Sequence, residues 1–209
     1  MTRVERARLL RGVYAIVNET HAPHPLALTR AILEGGARIV QYRAKGGIVA
    51  KHAREMRELT RERDALFIIN DDWRAVQTYD ADGVHLGPDD AQPGELAAIR
   101  DALPDRLIGV SCGTPQEARM AADADYIGVG SVYATSSKAD AGDPIGIAGL
   151  RAVAAACSLP VAAIGGITLA VLPDVRETGV AMAAVISAIS AASDPREATA
   201  ALVRAWTGG

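Results

Sequence analysis

The sequence predicts a closed barrel of eight parallel strands alternating with helices, and three observations lead to this expectation. Short runs rich in Val and Ile alternate eight times with Ala-, Leu- and Arg-rich stretches of helical period. These runs are apolar throughout, which is typical of strands covered on both faces. Eight units in 209 residues average about 26 residues each, a length that suits a small barrel. We therefore expect one α/β domain over residues 1–209, a single (β/α)8 TIM barrel, with a helical extension at 1–11.

Each predicted strand is followed by a predicted helix. The strands are expected at 12–18, 39–44, 67–71, 83–87, 107–111, 126–132, 161–167 and 182–187. The helices are expected at 26–35, 49–64, 72–80, 94–103, 115–123, 147–157, 168–178 and 195–206. Pro115 after Thr114, and Pro195 after Asp194, each fit a helix start. An open, doubly wound sheet is the alternative, although no GxGxxG motif follows the first strand.

Composition excludes several classes of protein. A net charge of −3 gives no basic surplus for nucleic acid, and aromatic residues make up only 4% of the chain. Two cysteines cannot form a disulfide framework. No apolar run is long enough to cross a bilayer, and the charged start MTRVERARLLRG does not resemble a signal peptide. We expect a cytoplasmic enzyme with small-molecule substrates, without nucleic-acid or membrane partners, and the sequence leaves homo-oligomer formation open.

Polar residues collect at the carboxyl ends of the predicted strands, where barrel enzymes carry their active sites. They are Gln41, Arg43 and Lys45 after strand two, Asn70, Asp71 and Asp72 after strand three, Asp89 and Asp90 after strand four, Ser111 after strand five, Thr135, Ser136, Ser137 and Lys138 after strand six, Gly165 and Gly166 after strand seven, and Ser187 after strand eight. Each alone could be a surface residue, a turn or a helix cap. Their shared position favours a common site.

The types of residue indicate anion and metal chemistry. Carboxylates from neighbouring strands suit Mg²⁺, which binds one or two carboxylates together with substrate phosphates. Three cations, Arg43, Lys45 and Lys138, suit a polyphosphate. The glycine turn after strand seven and the start of the helix after strand eight match the usual phosphate corner of this fold. No Ser-His-Asp or Cys-His arrangement is evident; His85 is expected to be packed within its strand, and Cys112 to be a small core residue.

Seven segments together resemble the thiamine-phosphate synthase (thiamine-phosphate pyrophosphorylase) family. They are QYRAK at 41–45, NDD at 70–72, DGVHLGPDD at 82–90, IGVS at 108–111, DYIGVGSVYATSSKADAGDPIG at 125–146, AIGGIT at 163–168 and AVISAI at 184–189. They occur in the family's order and near its spacing, and cover nearly the whole chain. The resemblance implies a transferase that joins a hydroxymethylpyrimidine diphosphate to a hydroxyethylthiazole phosphate, or to its carboxylated form, giving thiamine phosphate and pyrophosphate.

The resemblance also implies a role for each matching residue. The pyrimidine diphosphate would be bound by Gln41, Tyr42, Arg43, Ala44, Lys45, Asn70, Ser111 and Lys138. Among these, Arg43, Lys45, Ser111 and Lys138 would be catalytic. The thiazole phosphate would be bound by Thr135, Ser136, Ser137, Gly166, Ile186 and Ser187. Asp71 and Asp90 would bind Mg²⁺ in preference to the adjacent Asp72 and Asp89.

The chain departs from the family pattern at a few positions, and other functions remain as alternatives. The family usually has prolines where Ser131 and Ala134 stand, and a histidine where Gly113 stands. Three alternatives are a thiazole tautomerase-like enzyme, a sugar-phosphate isomerase or epimerase, and a non-catalytic protein that binds a thiamine precursor. The retained QxRxK, ND and SSKADAG motifs favour the synthase over the tautomerase, and Arg43, Lys45 and Lys138 beside a metal site favour it over the isomerase. Release of pyrophosphate that depends on Mg²⁺ would separate it from the binding protein.

Overall fold

The computed structural model describes residues 1–20, 23–88, 93–135, 137 and 142–208. Its strands are β1 Gly12–Asn18, β2 Ile39–Arg43, β3 Leu66–Asn70, β4 Gly83–Leu86, β5 Leu107–Cys112, β6 Tyr126–Val129, β7 Val161–Ile164 and β8 Met182–Val185. Its helices are α1 Arg3–Ala7, α2 Pro25–Glu34, α3 Ala50–Arg61, α4 Ala75–Thr78, α5 Pro93–Ala102, α6 Pro115–Met120, α7 Gly146–Ala154, α8 Leu172–Arg176, α9 Ser187–Ser190 and α10 Pro195–Thr207. None of these helices is long and apolar enough to cross a membrane.

The strands form a closed parallel barrel in chain order, which confirms the predicted fold and excludes the open sheet. Closure occurs where β1 pairs with β8, with Gly12 opposite Met182 and Ala15 opposite Val185. Two apolar clusters explain why the strands are apolar on both faces. On β1, Tyr14 and Ile16 point into the barrel, whereas Val13, Ala15 and Val17 pack against the helices.

Several strands end earlier than predicted because the chain turns at the carboxyl end of the barrel. After β6, the backbone N–H of Val132 donates to Ile164 O, and that of Tyr133 donates to Gly165 O. The segment therefore follows the end of β7 and leaves the sheet at Val129. At the predicted end of β8, Ser187 instead begins the short helix α9, in which the N–H of Ser190 donates to Ile186 O.

The opposite end of the barrel is closed by α1 through a buried ion-pair cluster around Asp82. This aspartate directly precedes β4, is fully buried and accepts the backbone N–H of Phe67 at 3.0 Å. Its two carboxylate oxygens bind Arg6 of α1 at 2.9 Å and Arg57 of α3 at 2.7 Å. A buried carboxylate needs such partners, because desolvation otherwise disfavours its charge.

The same arrangement recurs around Asp125, which directly precedes β6. Its carboxylate accepts the N–H of Ile108 at 2.8 Å and binds Arg3 of α1 at 2.6 Å. Arg100 of α5 supplies the third contact. Two arginines one helical turn apart therefore fasten α1 to two separate strands of the barrel.

Candidate active site

A cavity of about 480 Å³ opens at the carboxyl ends of the strands. Its floor is formed by inward-facing strand residues such as Tyr14, Ile16 and Ala162, and its rim by the loops that follow the strands. The predicted site residues that line it are Gln41, Arg43, Lys45, Asn70, Asp71, Ser111, Thr135, Ser137, Gly166, Ile186 and Ser187. Lys138, Ser136 and Asp90 lie outside the described residues, as does Asp89.

Residues of β2 and the loop after it contribute through their alternation. Gln41, Arg43 and Lys45 line the cavity, as the spacing of two predicts. The intervening Tyr42 and Ala44 instead pack against the outer apolar layer. The Tyr42 hydroxyl contacts Glu19 and accepts the backbone N–H of Val49, so its side chain does not reach the cavity. The prediction of Tyr42 and Ala44 as ligand-binding residues can therefore hold only for their backbone groups.

Two cations occupy one side of the cavity. Arg43 is half-buried, and its Nη1 donates to Asn18 Oδ1 at 3.2 Å. Asn18 is itself buried at the end of β1, opposite Arg43 in the strand register. Lys45 is exposed at the rim. A guanidinium held by Asn18 and an exposed ammonium on the same segment suit an anion that carries several oxygens.

The two aspartates after β3 have different environments. Asp71 lines the cavity with a left-handed backbone (φ 64°), and its N–H donates to His85 O at 2.9 Å. Asp72 Oδ1 accepts the backbone N–H groups of Arg74 and Ala75. Asp72 is thus occupied in capping the turn that leads into α4, whereas Asp71 presents a carboxylate to the cavity beside Asn70.

Ser111 and His85 form a pair that the sequence did not reveal. His85 was expected to be packed within β4, but it lines the cavity, and its Nε2 lies 3.1 Å from Ser111 Oγ. The signal in the sequence is positional: His85 and Ser111 belong to neighbouring strands and both point inward. Strand alternation applied to β4 and β5 together could have found this contact.

A buried pair of tyrosines extends this contact across the floor. His85 Nδ1 lies 3.2 Å from Tyr126 Oη, which is 2.9 Å from Tyr14 Oη. Gln41 Nε2 donates to Tyr14 Oη at 2.8 Å. Burial raises the pKa of Tyr14 and of Tyr126 well above the ordinary range, so both hydroxyls keep their protons.

The far side of the cavity is built from small and hydroxyl residues. Ser137 Oγ lies 3.4 Å from Ser187 Oγ, and the backbone N–H of Ser137 donates to Thr135 Oγ1 at 3.1 Å. Gly166 has a φ of +63°, and a Cβ there would lie 2.5 Å from Ala134 O. The loop after β6 therefore packs directly on the glycine turn after β7, and any side chain at Gly166 would separate them.

Two other residues at the cavity have structural explanations. Glu117 lines it, and its Oε2 accepts the N–H of Gly113 at 2.6 Å, so this carboxylate caps α6. Burial raises the pKa of the Cys112 thiol to about 12, so the thiol stays protonated and is a poor nucleophile at neutral pH. Its treatment as a small core residue agrees with this environment.

Comparison with known proteins now identifies the family. The family model described as thiamine monophosphate synthase matches residues 13–189, which include every residue that lines the cavity. The chain belongs to the thiamine-phosphate synthase family. It is 38% identical to the thiamine-phosphate synthase of Caldivirga maquilingensis over 95% of this chain and 98% of that protein. The thiamine-phosphate synthase of Moorella thermoacetica is 44% identical over 81% of this chain and 82% of that protein.

Solved structures agree with this assignment to the thiamine-phosphate synthase family. A thiamine phosphate pyrophosphorylase from Pyrococcus furiosus superimposes with a TM-score of 0.85 at 36% identity, covering 96% of this chain and 98% of that one. A 3-hexulose-6-phosphate synthase from Salmonella typhimurium reaches a TM-score of 0.76 at 14% identity, which shows the fold alone. As a member of this family the chain is an enzyme, a transferase of thiamine biosynthesis.

Proposed function

We propose that this enzyme joins a hydroxymethylpyrimidine diphosphate to a hydroxyethylthiazole phosphate, releasing thiamine phosphate and pyrophosphate. One observation carries the proposal: a single cavity is lined by two cations, Arg43 and Lys45, at the end of β2 and by the hydroxyl residues Thr135 and Ser137 in the loop after β6, which lies four strands away in the eight-stranded barrel. Two anionic substrates could thus bind at opposite sides, with their rings meeting over the floor of the cavity. Family membership supports the same reaction.

The diphosphate would bind at the positively charged side of the cavity, formed by β2 and the loop after it. Arg43 and Lys45 would neutralise its oxygens, while Asn70 and Ser111 would offer hydrogen bonds. Lys138, which lies outside the described residues, would add a third cation. Tyr42 and Ala44 would contribute backbone groups only, since their side chains pack elsewhere.

The thiazole phosphate would bind on the opposite side. Thr135 and Ser137 carry hydroxyls towards this part of the cavity, and Ser137 contacts Ser187. Gly166 leaves the backbone open to the ligand, and Ile186 would pack against the ring. Ser136, outside the described residues, completes the proposed set.

The donor atoms near Asp71 fit a hard cation. Mg²⁺ prefers oxygen ligands and usually binds proteins through one or two carboxylates together with substrate phosphates. Asp71 supplies a carboxylate at the cavity, and we propose Asp90, outside the described residues, as the second. When bound, Mg²⁺ would neutralise part of the diphosphate charge and so favour its departure.

The reaction needs no general base in this site. The bond between the pyrimidine methylene carbon and the diphosphate oxygen breaks, and its electron pair leaves with pyrophosphate. The resulting carbocation is stabilised by the amino group of the pyrimidine. The lone pair of the thiazole nitrogen then forms the new C–N bond. Arg43 and Lys45 would stabilise the charge that develops on the leaving group, and the shared cavity would position the two rings.

The test is a coupling assay with purified protein, the pyrimidine diphosphate, the thiazole phosphate and Mg²⁺. We expect thiamine phosphate, detected by mass, in equal amount to released pyrophosphate, and loss of both with EDTA. The matched control is Arg54→Ala, which removes an exposed arginine of α3 outside the cavity and should leave turnover unchanged. Saturable binding of the thiazole phosphate without any product would contradict the proposal and favour the tautomerase-like or binding-protein alternative.

A further inference from the structure

The hydroxyl of Ser111 is the end of a continuous chain of side-chain hydrogen bonds that crosses the barrel. The chain runs from Gln41 through Tyr14, Tyr126 and His85 to Ser111, with successive distances of 2.8, 2.9, 3.2 and 3.1 Å. Its members come from five different strands, so the barrel itself holds them in place. Tyr14 and Tyr126 are 1% and 0% exposed, which excludes solvent from the middle of the chain.

Two strand glycines make room for this chain. A Cβ at Gly109 would lie 2.5 Å from Tyr126 Oη, and a Cβ at Gly128 would lie 2.9 Å from His85 Cε1. Glycine weakens a strand interior because it packs no side chain and costs backbone entropy. Placing a glycine beneath each of these two rings is explained by the need to seat the rings in hydrogen-bonding positions.

Counting the donors and acceptors determines the direction of each hydrogen bond from Gln41 to Ser111. Gln41 Nε2 can only donate, so Tyr14 Oη accepts from it. If Tyr126 also donated to Tyr14, the proton of the buried Tyr14 hydroxyl would have no hydrogen-bond acceptor among the described residues. Tyr14 therefore donates to Tyr126, because an unsatisfied buried donor is costly. By the same argument Tyr126 donates to His85 Nδ1.

We propose that Gln41, Tyr14, Tyr126 and His85 are positioning residues that hold Ser111 as a hydrogen-bond donor towards the cavity. With Nδ1 accepting, neutral His85 carries its proton on Nε2 and donates it to Ser111 Oγ. Ser111 Oγ then accepts within the chain, and its own proton points to the ligand. A hydroxyl fixed as a donor suits an anionic oxygen. This inference rests on the proposed function for its ligand, the diphosphate end of the pyrimidine substrate.

The orientation can be measured without any substrate. Long-range ¹H–¹⁵N spectra of the histidine-labelled protein, with His85 assigned through His85→Gln, report which ring nitrogen carries the proton. We expect the Nε2–H tautomer in the unmodified protein. A His85 ring protonated on Nδ1, or on both nitrogens, would overturn the proposal, and this measurement requires no variant to fold apart from the one used for assignment.

An isosteric reversal of the chain provides the second measurement. In Gln41→Glu the first donor becomes an acceptor, so Tyr14 should donate to it and each later bond should reverse. We expect the His85 proton to move to Nδ1 and the Ser111 hydroxyl to turn away from the cavity. A role in packing alone predicts no change of tautomer, so an unchanged Nε2–H signal would contradict the proposal.

Steady-state kinetics test whether this chain of hydrogen bonds contributes to the reaction. Tyr126→Phe keeps the ring but removes the central hydroxyl, and we expect kcat to fall about tenfold with KM for the thiazole phosphate unchanged. Tyr79→Phe, the same change in the outer layer, should have no effect. Equal kcat in both variants would contradict the positioning role. If the unmodified protein did not join the two substrates but His85 showed the expected Nε2–H tautomer, the proposed function would be refuted. The direction of the hydrogen bonds would still hold.

Discussion

Gly166 lies against the backbone of Ala134, so the turn after β7 and the loop after β6 share one surface. A Cβ at Gly166 would come within 2.5 Å of Ala134 O and 2.7 Å of Tyr133 Cβ, and the residue has a φ of +63°. The glycine is therefore required both by the backbone conformation and by the close approach of the neighbouring loop. Thr135 and Ser137, the proposed thiazole-phosphate residues, follow in that loop.

Gly166→Ala should push this loop out of position. We expect KM for the thiazole phosphate to rise about tenfold or more and KM for the pyrimidine diphosphate to rise less, because Arg43 and Lys45 belong to β2 and the loop after it, and only Lys138 of the proposed diphosphate cations belongs to this loop. The measurement is steady-state kinetics with each substrate varied in turn. Gly179→Ala is the matched control, since Gly179 also has a positive φ (+82°) but open space around its Cβ position. Equal effects of the two variants on KM would refute a specific role for the contact.

Asp71→Asn should lower kcat by roughly 10²–10³-fold, the usual cost of losing one preorganised charge at the reacting group. The neighbouring Asp72 provides the control, since its carboxylate accepts the backbone N–H groups of Arg74 and Ala75 and so caps the turn before α4. Asp72→Asn should keep near-normal turnover. Titration of activity with Mg²⁺ completes the measurement, and the Asp71 variant should need more metal. Normal turnover in Asp71→Asn would remove this residue from the proposed metal site.

Arg6→Ala should destabilise the fold by about 3–5 kcal/mol, because it leaves the buried Asp82 carboxylate without one of its charged partners. The control is Lys51→Ala, which removes the ion pair between Lys51 and Glu55 on the surface of α3, where the two side chains are 79% and 41% exposed. Such a pair contributes little to stability. Urea denaturation of both variants decides the matter, and a loss below about 1 kcal/mol for Arg6→Ala would show that Arg57 alone satisfies the carboxylate.

The unfolding free energy should decline at alkaline pH. Burial raises the pKa of Cys112 from 9.0 to about 12 in the fold, and raises the pKa of Tyr14 and Tyr126 above 10.0. The unfolded chain therefore releases these protons first, so the stabilisation is complete below about pH 9 and is lost as the pH rises beyond it. Urea midpoints measured from pH 8 to 11 should fall, and Tyr126→Phe should reduce the slope. A urea midpoint that stayed constant from pH 8 to 11 would contradict the burial of these three side chains.

Much of the fold was predictable because its signals are local. Eight apolar runs and their spacing are properties of the sequence, whereas closure into a barrel, which the structure shows, depends on the pairing of β1 with β8. The ends of the strands were less predictable. Ile186 and Ser187 read as strand, but tertiary contacts at the barrel mouth turn Ser187 into the start of α9.

The site was predictable where strand alternation determines it, and less so where contacts join distant segments. Gln41, Arg43 and Lys45 share a face because they are spaced by two. Tyr42 matched the family motif yet points outward, because the same alternation places it there. Alternation also places His85 and Ser111 inward on neighbouring strands, and the 3.1 Å separation of their side chains then follows from the register of β4 and β5.

The two arginines of α1 have a consequence for the order in which the chain can fold. Arg6 binds Asp82, which is 76 residues away in sequence, and Arg3 binds Asp125, which is 122 residues away. During synthesis the first helix leaves the ribosome long before either partner exists, so it cannot dock on the barrel until β4 and β6 are in place. The helix α1 thus takes its native position only after segments that are synthesised much later, because its two ion pairs need Asp82 before β4 and Asp125 before β6.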